Sequence, residues 1–134
     1  MSNCLRQPLC LLTLLIVIVS SCGKYEEGPE FTLLTKKQRL VGEWQIEEAT
    51  VNGAAVDPAT YSEYTLIFER DGTARITYGV LTYKGTWEFI DDKKKLRSLS
   101  ITGEEVESTI LRLTNKQLWL KDPDGDIQKL KSKK

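Results

Sequence analysis

The sequence contains no histidine, and its three cysteines all lie within the first 22 residues. Histidine is the most common general base and the most common metal-binding side chain, so its absence removes the usual centre of a catalytic or metal site. Also missing are a Gly-x-Ser-x-Gly motif and a glycine-rich phosphate loop, which would indicate a serine hydrolase or a nucleotide-binding protein. We therefore expect a protein that is not an enzyme and has no catalytic residue, no metal ion and no cofactor held by its side chains.

Neither sign of charge predominates, because 19 basic residues balance 19 acidic ones. Arg6 is the only charged residue among the first 21, so the 113 residues that follow carry 18 basic and 19 acidic groups. This balance does not favour nucleic acid as a partner. A chain of this length fits one small domain with a modest hydrophobic core, and we expect it to be a monomer.

What the sequence does contain, at its N-terminus, is a short cationic start followed by an apolar run. Arg6 precedes an almost unbroken apolar segment, residues 9–19, which ends in small residues. This order is typical of a secretory signal peptide, and the run is shorter than the ~20 apolar residues of a membrane-spanning helix. The sequence therefore predicts a signal peptide over residues 1–21, and Cys4 and Cys10 would leave with it.

The residues Val19, Ser20, Ser21 and Cys22 resemble the lipobox of bacterial lipoproteins, in which an aliphatic residue and two small residues precede a cysteine. The resemblance implies that the thiol of Cys22 takes a diacylglyceryl group. It also implies that the chain is cut before Cys22 and that the new amine receives an acyl chain such as palmitate. Several acyl chains anchor a protein durably, whereas one binds only marginally. The alternative is an ordinary signal peptide with a chance cysteine beside the cut.

A polar segment with glycine and proline, residues 22–34, follows the expected anchor and predicts a flexible tether to the membrane. Position 23 is Gly rather than Asp. By resemblance to lipoprotein sorting in Gram-negative bacteria, this favours a cell-envelope protein of the outer membrane, on its periplasmic face or at the cell surface. The pair Glu26-Glu27 resembles the acidic tags of surface-exported lipoproteins, and a solvated linker is the alternative that charge runs generally favour.

Thr35 and Gln38 have the spacing of a helix capping box, which predicts a short helix over residues 35–40 that ends near Gly42. Beyond it, apolar residues alternate with polar ones in short runs, which predicts strands. Eight strands are expected, at residues 43–51, 64–69, 73–78, 83–90, 96–101, 106–113, 117–121 and 127–130.

The connections between these strands are short. Asn52-Gly53 is a strong signal for a tight turn, and residues 54–63 form the longest loop. Many short strands at this spacing predict an all-β barrel or sandwich with antiparallel pairing. We expect one such domain over residues 35–134.

A short helix that runs into Gly42-x-Trp44 resembles the opening motif of the lipocalins, and residues 71–73 and 85–89 are similar to segments of small lipocalin-like lipoproteins of Gram-negative bacteria. The resemblance implies a single antiparallel up-and-down eight-stranded barrel. Gly42 would provide the bend after the helix, Trp44 would plug the closed base, and residues 52–63 would form a lid. Because the sequence stops soon after the last strand, the C-terminal helix of lipocalins is not expected.

Alternate side chains of the second, third and fourth predicted strands share one face of the sheet. Six large ones are the expected lining of a ligand cavity: Leu66, Phe68, Ile76, Tyr78, Trp87 and Phe89. Gly85 should leave a gap on this face. Eight strands enclose an interior that is either filled or holds one small ligand. The lipocalin resemblance implies a small apolar ligand, and the alternative is a filled barrel that displays a surface to a protein or glycan.

Three further patterns are interpreted as structural. Residues 122–126 contain the Asp-Gly pair of a hairpin turn and lack the spacing of a calcium loop. Glu47 and Glu48 are neighbours in a predicted strand, so they should point to opposite faces and cannot form a catalytic pair. Trp44, Trp87 and Trp119 could each line a ligand pocket, but a place in the core is favoured, because it is the more common environment for aromatic strand residues.

Overall fold

The structure, a computed structural model, describes residues 25, 26, 28 and 32–133. One α-helix and nine strands follow each other in this part of the chain: α1 (Lys36–Leu40), β1 (Gly42–Val51), β2 (Ala54–Val56), β3 (Tyr64–Phe68), β4 (Thr73–Tyr78), β5 (Leu81–Ile90), β6 (Lys95–Ser100), β7 (Glu105–Leu113), β8 (Gln117–Lys121) and β9 (Ile127–Ser132). The predicted signal peptide, Cys22 and most of the predicted tether lie outside the described residues. No helix among the described residues is long and apolar enough to cross a membrane.

Eight of the strands form a closed antiparallel barrel. Each strand from β3 to β8 pairs with the strand that follows it, and β1 closes the ring because it pairs with β3 on one side and with β9 on the other. The prediction of a single up-and-down eight-stranded barrel is therefore confirmed. No helix follows β9 within the described residues, as the sequence led us to expect.

The predicted strands agree with the observed ones to within about two residues at either end. The segment expected to be a loop contains two short elements: β2, which extends the end of β1 as a hairpin, and a single 3₁₀ turn at Pro58–Tyr61. Pro58 stands at the start of this turn, and the Asp57 carboxylate accepts a hydrogen bond from the amide of Ala59, 3.0 Å away. These local contacts order a stretch in which no apolar periodicity could be detected.

The capping box of α1 is present as predicted. The Thr35 hydroxyl accepts from the Gln38 amide at 3.1 Å, and the Gln38 side chain accepts from the Thr35 amide at 2.9 Å. Gly42 follows the helix with φ of 140°, a region that favours glycine because other residues would be strained there. The helix therefore ends where the chain must turn into β1.

One end of the barrel, which we call the closed base, is covered by α1. Leu40 and Trp44 have no exposed surface, and the Trp44 indole N–H donates to the Leu40 carbonyl at 2.8 Å. The Arg39 guanidinium is also buried and donates to the carbonyl of Leu113 at 2.6 Å. Burial lowers the pKa of Arg39. The helix is thus fixed to both β1 and the end of β7, and Gly42 and Trp44 occupy the places that the lipocalin resemblance implied.

The filled part of the interior lies against β7, β8, β9 and β1. Four large side chains stand side by side across these strands, since Leu113 pairs with Leu118, Leu118 with Leu130, and Leu130 with Ile46. All four are buried and belong to one hydrophobic cluster with Leu40 and Trp44. We call these strands the filled wall.

A β-bulge in the filled wall changes the expected alternation in β1. The register shifts between Ile46 and Glu48, so that Glu47 and Glu48 are both exposed. Glu48 lies 3.1 Å from Lys129, and Glu47 lies 3.7 Å from Lys131. The prediction that the two glutamates point to opposite faces is wrong, because a bulge adds a residue that breaks the two-residue period. Each carboxylate instead pairs with an outer lysine of β9.

Candidate functional site: a cavity at the open end of the barrel

The opposite end of the barrel, which we call the mouth, leads into a cavity of about 250 Å³. The cavity lies between β3, β4, β5 and β6, which we call the hollow wall, and reaches the start of β7. Its inner lining is apolar and comes from alternate residues of these strands: Leu66, Phe68, Ala74, Ile76, Tyr83 and Val106. Tyr83 is 59% exposed and Val106 50%, so the cavity is open to solvent at the mouth.

The cavity exists because small residues stand next to one another across the hollow wall. Phe68 pairs with Ala74, Ala74 with Gly85, and Gly85 with Ser100. Ser98, two residues before Ser100 on β6, also lines the space. The filled wall has a row of leucine and isoleucine side chains. In the hollow wall, the row that begins with Phe68 continues with the small residues Ala74, Gly85 and Ser100. The missing volume is the cavity.

Gly85 itself permits a close approach of two strands. A Cβ atom built on Gly85 would overlap the carbonyl oxygen of Leu99 on β6. The expected gap at the position of its side chain is therefore wrong, since neighbouring backbone occupies that position. Gly85 lines the cavity, but any larger residue would force β5 and β6 apart.

Three of the six residues predicted to line a ligand cavity do so, namely Leu66, Phe68 and Ile76. Trp87 and Phe89 lie nearer the closed base, where their rings contact each other edge-to-face at a centroid distance of 5.5 Å. The Trp87 indole N–H donates to the carbonyl of Glu69 in the β3–β4 turn at 2.8 Å, which holds the ring at that end. All six predicted residues share one face of the sheet, so the two-residue period alone could not show that Trp87 and Phe89 lie outside the cavity.

Tyr78, the sixth predicted residue, lies at the rim of the mouth rather than in the cavity. It is 40% exposed, and its ring stacks on that of Tyr64 at a centroid distance of 4.6 Å. Its strand ends at this residue, so the side chain extends past the pocket. The shared face was predicted correctly, and the position along the barrel axis was not.

Sequence reasoning missed the residues that create the space. Ser98 and Ser100 alternate with outward side chains and share the inner face with Leu96, a buried core residue. The two-residue period could have placed both serines inside. The signal in the sequence was the small size of the two serines. Two small side chains at inner positions of one strand, paired with Trp87 and Gly85, indicate unfilled space inside the barrel.

A family model described as a lipocalin-like domain matches residues 40–120, more than half of the chain. The chain belongs to the lipocalin-like domain family. A search of curated proteins finds no match.

Two solved structures are similar to this lipocalin-like chain. One is a lipocalin-like protein from Bacteroides uniformis, with a TM-score of 0.57 and 13% identity over 70% of this chain and 98% of the other. The second is an uncharacterized protein from Bacteroides eggerthii, with a TM-score of 0.56 and 13% identity over 69% of this chain and 98% of the other. At this identity the likeness establishes the fold. The lipocalin-like fold in turn suggests a ligand-binding barrel module.

The mouth of the lipocalin-like barrel has an apolar rim on the hollow wall. Val80, at the tip of the β4–β5 turn, is 100% exposed, and Ile101, at the β6–β7 turn, is 84% exposed. Leu81 and Val106 beside them are about half exposed. These exposed apolar side chains stand at one end of the barrel, at the opening of the cavity, where an interaction or ligand-binding surface would lie.

The segment expected to be a lid does not cover the cavity, because none of the residues that line it comes from 52–63. The hairpin turn is fixed elsewhere: the Asp126 carboxylate accepts from the amides of Asn52 and Gly53 at 3.0 and 2.9 Å and from the Thr50 hydroxyl at 3.2 Å. The amides of Gly53 and Asn52 hold the pKa of Asp126 below its usual value. Asp126 thus holds the turn at Asn52-Gly53, where the expected lid begins, on the side of the filled wall.

The remaining candidate sites are structural. Residues 122–126 form a turn in which Gly125 donates to the carbonyl of Asp122 at 3.1 Å. No group of acidic or thiol side chains within the described residues could hold a metal ion. Trp119 lies on the outer face of β8, with Lys129 4.6 Å from its ring centre and Arg112 5.5 Å away. Its expected place in the core is wrong, because Leu118 and Leu120 take the inner positions.

Proposed function

We propose that this chain is a lipid-anchored lipocalin-like lipoprotein of the cell envelope and that its barrel binds a small apolar ligand. The cavity of about 250 Å³ supports the binding proposal. A dry engineered cavity of roughly 150 Å³ is large enough to take up benzene, and ordinary ligand pockets begin near 300 Å³. The ligand we propose is therefore small, with a ring or a short hydrocarbon chain.

The chemistry of the lining supports an apolar ligand with one polar end. Hydrocarbon side chains, from Leu66, Phe68 and Ile76 in particular, make up most of the inner lining, and Ser98 and Ser100 of β6 contribute two hydroxyl groups to it. The Ser100 hydroxyl lies 2.7 Å from the Thr102 hydroxyl and accepts from the Glu104 amide at 3.1 Å. Ser98 is the hydroxyl we propose as the polar contact of the ligand.

The binding proposal is tested by filling the cavity. Ser98→Leu places a larger apolar side chain in the space between Trp87 and Val106, its partners in the pairing of β5, β6 and β7. A matched control is Thr82→Leu, an exposed position of β5 that does not line the cavity. An environment-sensitive apolar dye and a series of fatty acids of increasing length serve as probes, read by dye emission and tryptophan quenching.

We expect saturable binding by the unaltered protein and by Thr82→Leu. For Ser98→Leu we expect a dissociation constant at least tenfold larger. Loss in both variants would indicate that the site is elsewhere. No saturable binding by the unaltered protein would favour the alternative, a barrel that displays its surface to a protein or glycan. The apolar rim at Val80 and Ile101 is the observation that favours this alternative.

The lipid anchor is proposed on the sequence of residues 19–22. The test is Cys22→Ala in the full chain, followed by separation of soluble and membrane fractions and by mass spectrometry of the N-terminus. We expect the unaltered chain in the membrane fraction with acyl chains on Cys22, and the variant in the soluble fraction. A variant that stays with the membrane would overturn the anchor and leave the binding proposal untouched.

A further inference from the structure

The closed base carries a cluster of positive charge that neither the barrel nor the cavity requires. Lys36 of α1 lies within electrostatic reach of Arg39, Lys93 and Lys94, and of one carboxylate, Asp92. Burial lowers the pKa of Lys36, and the three neighbouring cations lower it further. We call Lys36, Lys93 and Lys94 the cationic patch. Since like charges that crowd together destabilise the fold, an external partner of negative charge would relieve them.

The backbone that presents two of these lysines is strained. Asp91, Asp92 and Lys93 have φ of 51°, 53° and 64°, three successive residues in a region that residues other than glycine rarely adopt. The turn is held on both sides, because Lys94 donates to the carbonyl of Asp91 at 3.0 Å and its own carbonyl accepts from Ile110 at 2.9 Å. Strain of this kind persists where the surrounding structure enforces it, and it is concentrated at functional sites.

The chain that precedes the domain reaches the base at the same place. Tyr25 is buried, with the Lys36 ammonium 4.5 Å above its ring and Arg39 5.9 Å away. The carbonyl of Gly28 accepts from the amide of Leu113 at 3.5 Å. Cys22 is three residues from Tyr25, and three residues of fully extended chain span about 10 Å at most. The proposed anchor therefore cannot be far from the cationic patch.

We propose that the cationic patch binds the phosphate headgroups of anionic lipids in the membrane that carries the anchor. The closed base then faces that membrane and the mouth faces away from it. The proposal rests on the proposed function only for the place of the anchor. Charge complementarity between Lys36, Lys93, Lys94 and the lipid phosphates identifies the partner. The far end fits this orientation, since the mouth carries Glu63, Glu104 and Asp124 at its exposed turns.

The first experiment uses the mature chain, from residue 22 onward, without acyl chains. The strand pairings and the hydrophobic cluster described above lie within residues 25–132, so this chain retains all of the observed contacts. Binding is measured by co-sedimentation with vesicles of phosphatidylcholine alone and of phosphatidylcholine with phosphatidylglycerol. The variant Lys93→Gln/Lys94→Gln removes two cations of the patch. Lys84→Gln/Lys121→Gln removes two on strands of the barrel wall and has the same net charge.

We expect binding to the anionic vesicles only, weakened by salt. Each lysine near an anionic surface contributes about a fivefold change in partitioning, so the patch variant should bind roughly 25-fold more weakly. The control variant should bind like the unaltered chain. Equal losses in the two variants, or no preference for anionic vesicles, would overturn the proposal.

A second measurement reports the orientation directly. In the mature chain Cys22 is the only thiol, so it can be coupled to a maleimide lipid in either kind of vesicle. An amine-reactive reagent then labels exposed lysines, which are identified by mass spectrometry. Lys93 and Lys94 should be protected in anionic but not in neutral vesicles, and Lys84 should be labelled equally in both. Equal labelling of all three in anionic vesicles would overturn the orientation even if Cys22→Ala had confirmed the anchor.

Discussion

The filled wall and the hollow wall of the barrel have the same backbone architecture and opposite interiors. Across the filled wall, Leu113, Leu118, Leu130 and Ile46 stand side by side and are all buried. Across the hollow wall, the row that begins at Phe68 continues through smaller residues and leaves the cavity. The difference shows that the strand pattern determines the barrel, whereas side-chain volume at a few inner positions determines whether a region is core or site.

The largest expected effect is at the point where the filled wall meets the closed base. Trp44→Ala removes a completely buried ring and its hydrogen bond to Leu40. Loss of a buried tryptophan typically costs ~3–5 kcal/mol, so urea unfolding should show a large fall in the free energy of unfolding. Trp119→Ala on the outer face is the control and should cost much less. Similar losses at the two positions would contradict the distinction between inside and outside.

A direct comparison of the two walls comes from one truncation in each. Leu118→Ala removes a side chain with no exposed surface and should cost ~2–5 kcal/mol of unfolding free energy. Ile76→Ala should cost clearly less, because that side chain is 41% exposed and borders a cavity that is already empty. The effects on dye binding should be reversed: Ile76→Ala should bind the dye more weakly, and folded Leu118→Ala should bind it as the unaltered protein does. Equal stability losses would mean that the hollow wall is as tightly packed as the filled one.

The smallest effect concerns the mouth end of the filled wall and depends on pH. The folded protein lowers the pKa of Asp126 below the ordinary value of 3.8, so the carboxylate's contribution to stability is complete above that value. It is lost as the pH falls through the lowered pKa. Hydrogen exchange at the amides of Asn52 and Gly53 should therefore accelerate, relative to other turns, only in strongly acidic solution. Asp126→Asn should show fast exchange at neutral pH, and unaltered exchange in this variant would contradict the assigned role.

The fold could be predicted from the sequence because it depends on repeated local signals. The capping box at Thr35, the turn at Asn52-Gly53 and the two-residue alternation each have a local physical cause, and all of them agreed. The bulge at Glu47 and Glu48 could not be predicted, since it arises from the register with β9, more than 80 residues away in the chain. The prediction for Trp119 was wrong for a related reason. Its side chain faces outward because Leu118 and Leu120, its neighbours on β8, face inward.

The cavity could be predicted only in part. The shared face of Leu66, Phe68 and Ile76 follows from the two-residue period, but their depth along the barrel depends on strand stagger, which sequence alone does not give. This is why Trp87 was assigned to the site and instead packs toward the base. Gly85 was recognised as unusual, and only the register with Leu99 and Ser100 distinguishes close approach from open space.

The pairing of β1 with β9 has a consequence for how the barrel is made. The first strand of the ring finds its second partner only when the last strand is present, since Trp44 pairs with Ser132. Until then β1 and β8 each present an unpaired edge, and such edges invite association with other chains. The closing contact spans nearly the whole domain, and long-range closure of this kind slows folding. A chain cut after Lys121 should therefore aggregate rather than form a smaller barrel. Light scattering during refolding would show this aggregation. A soluble monomer of that length would contradict the requirement that β9 close the barrel.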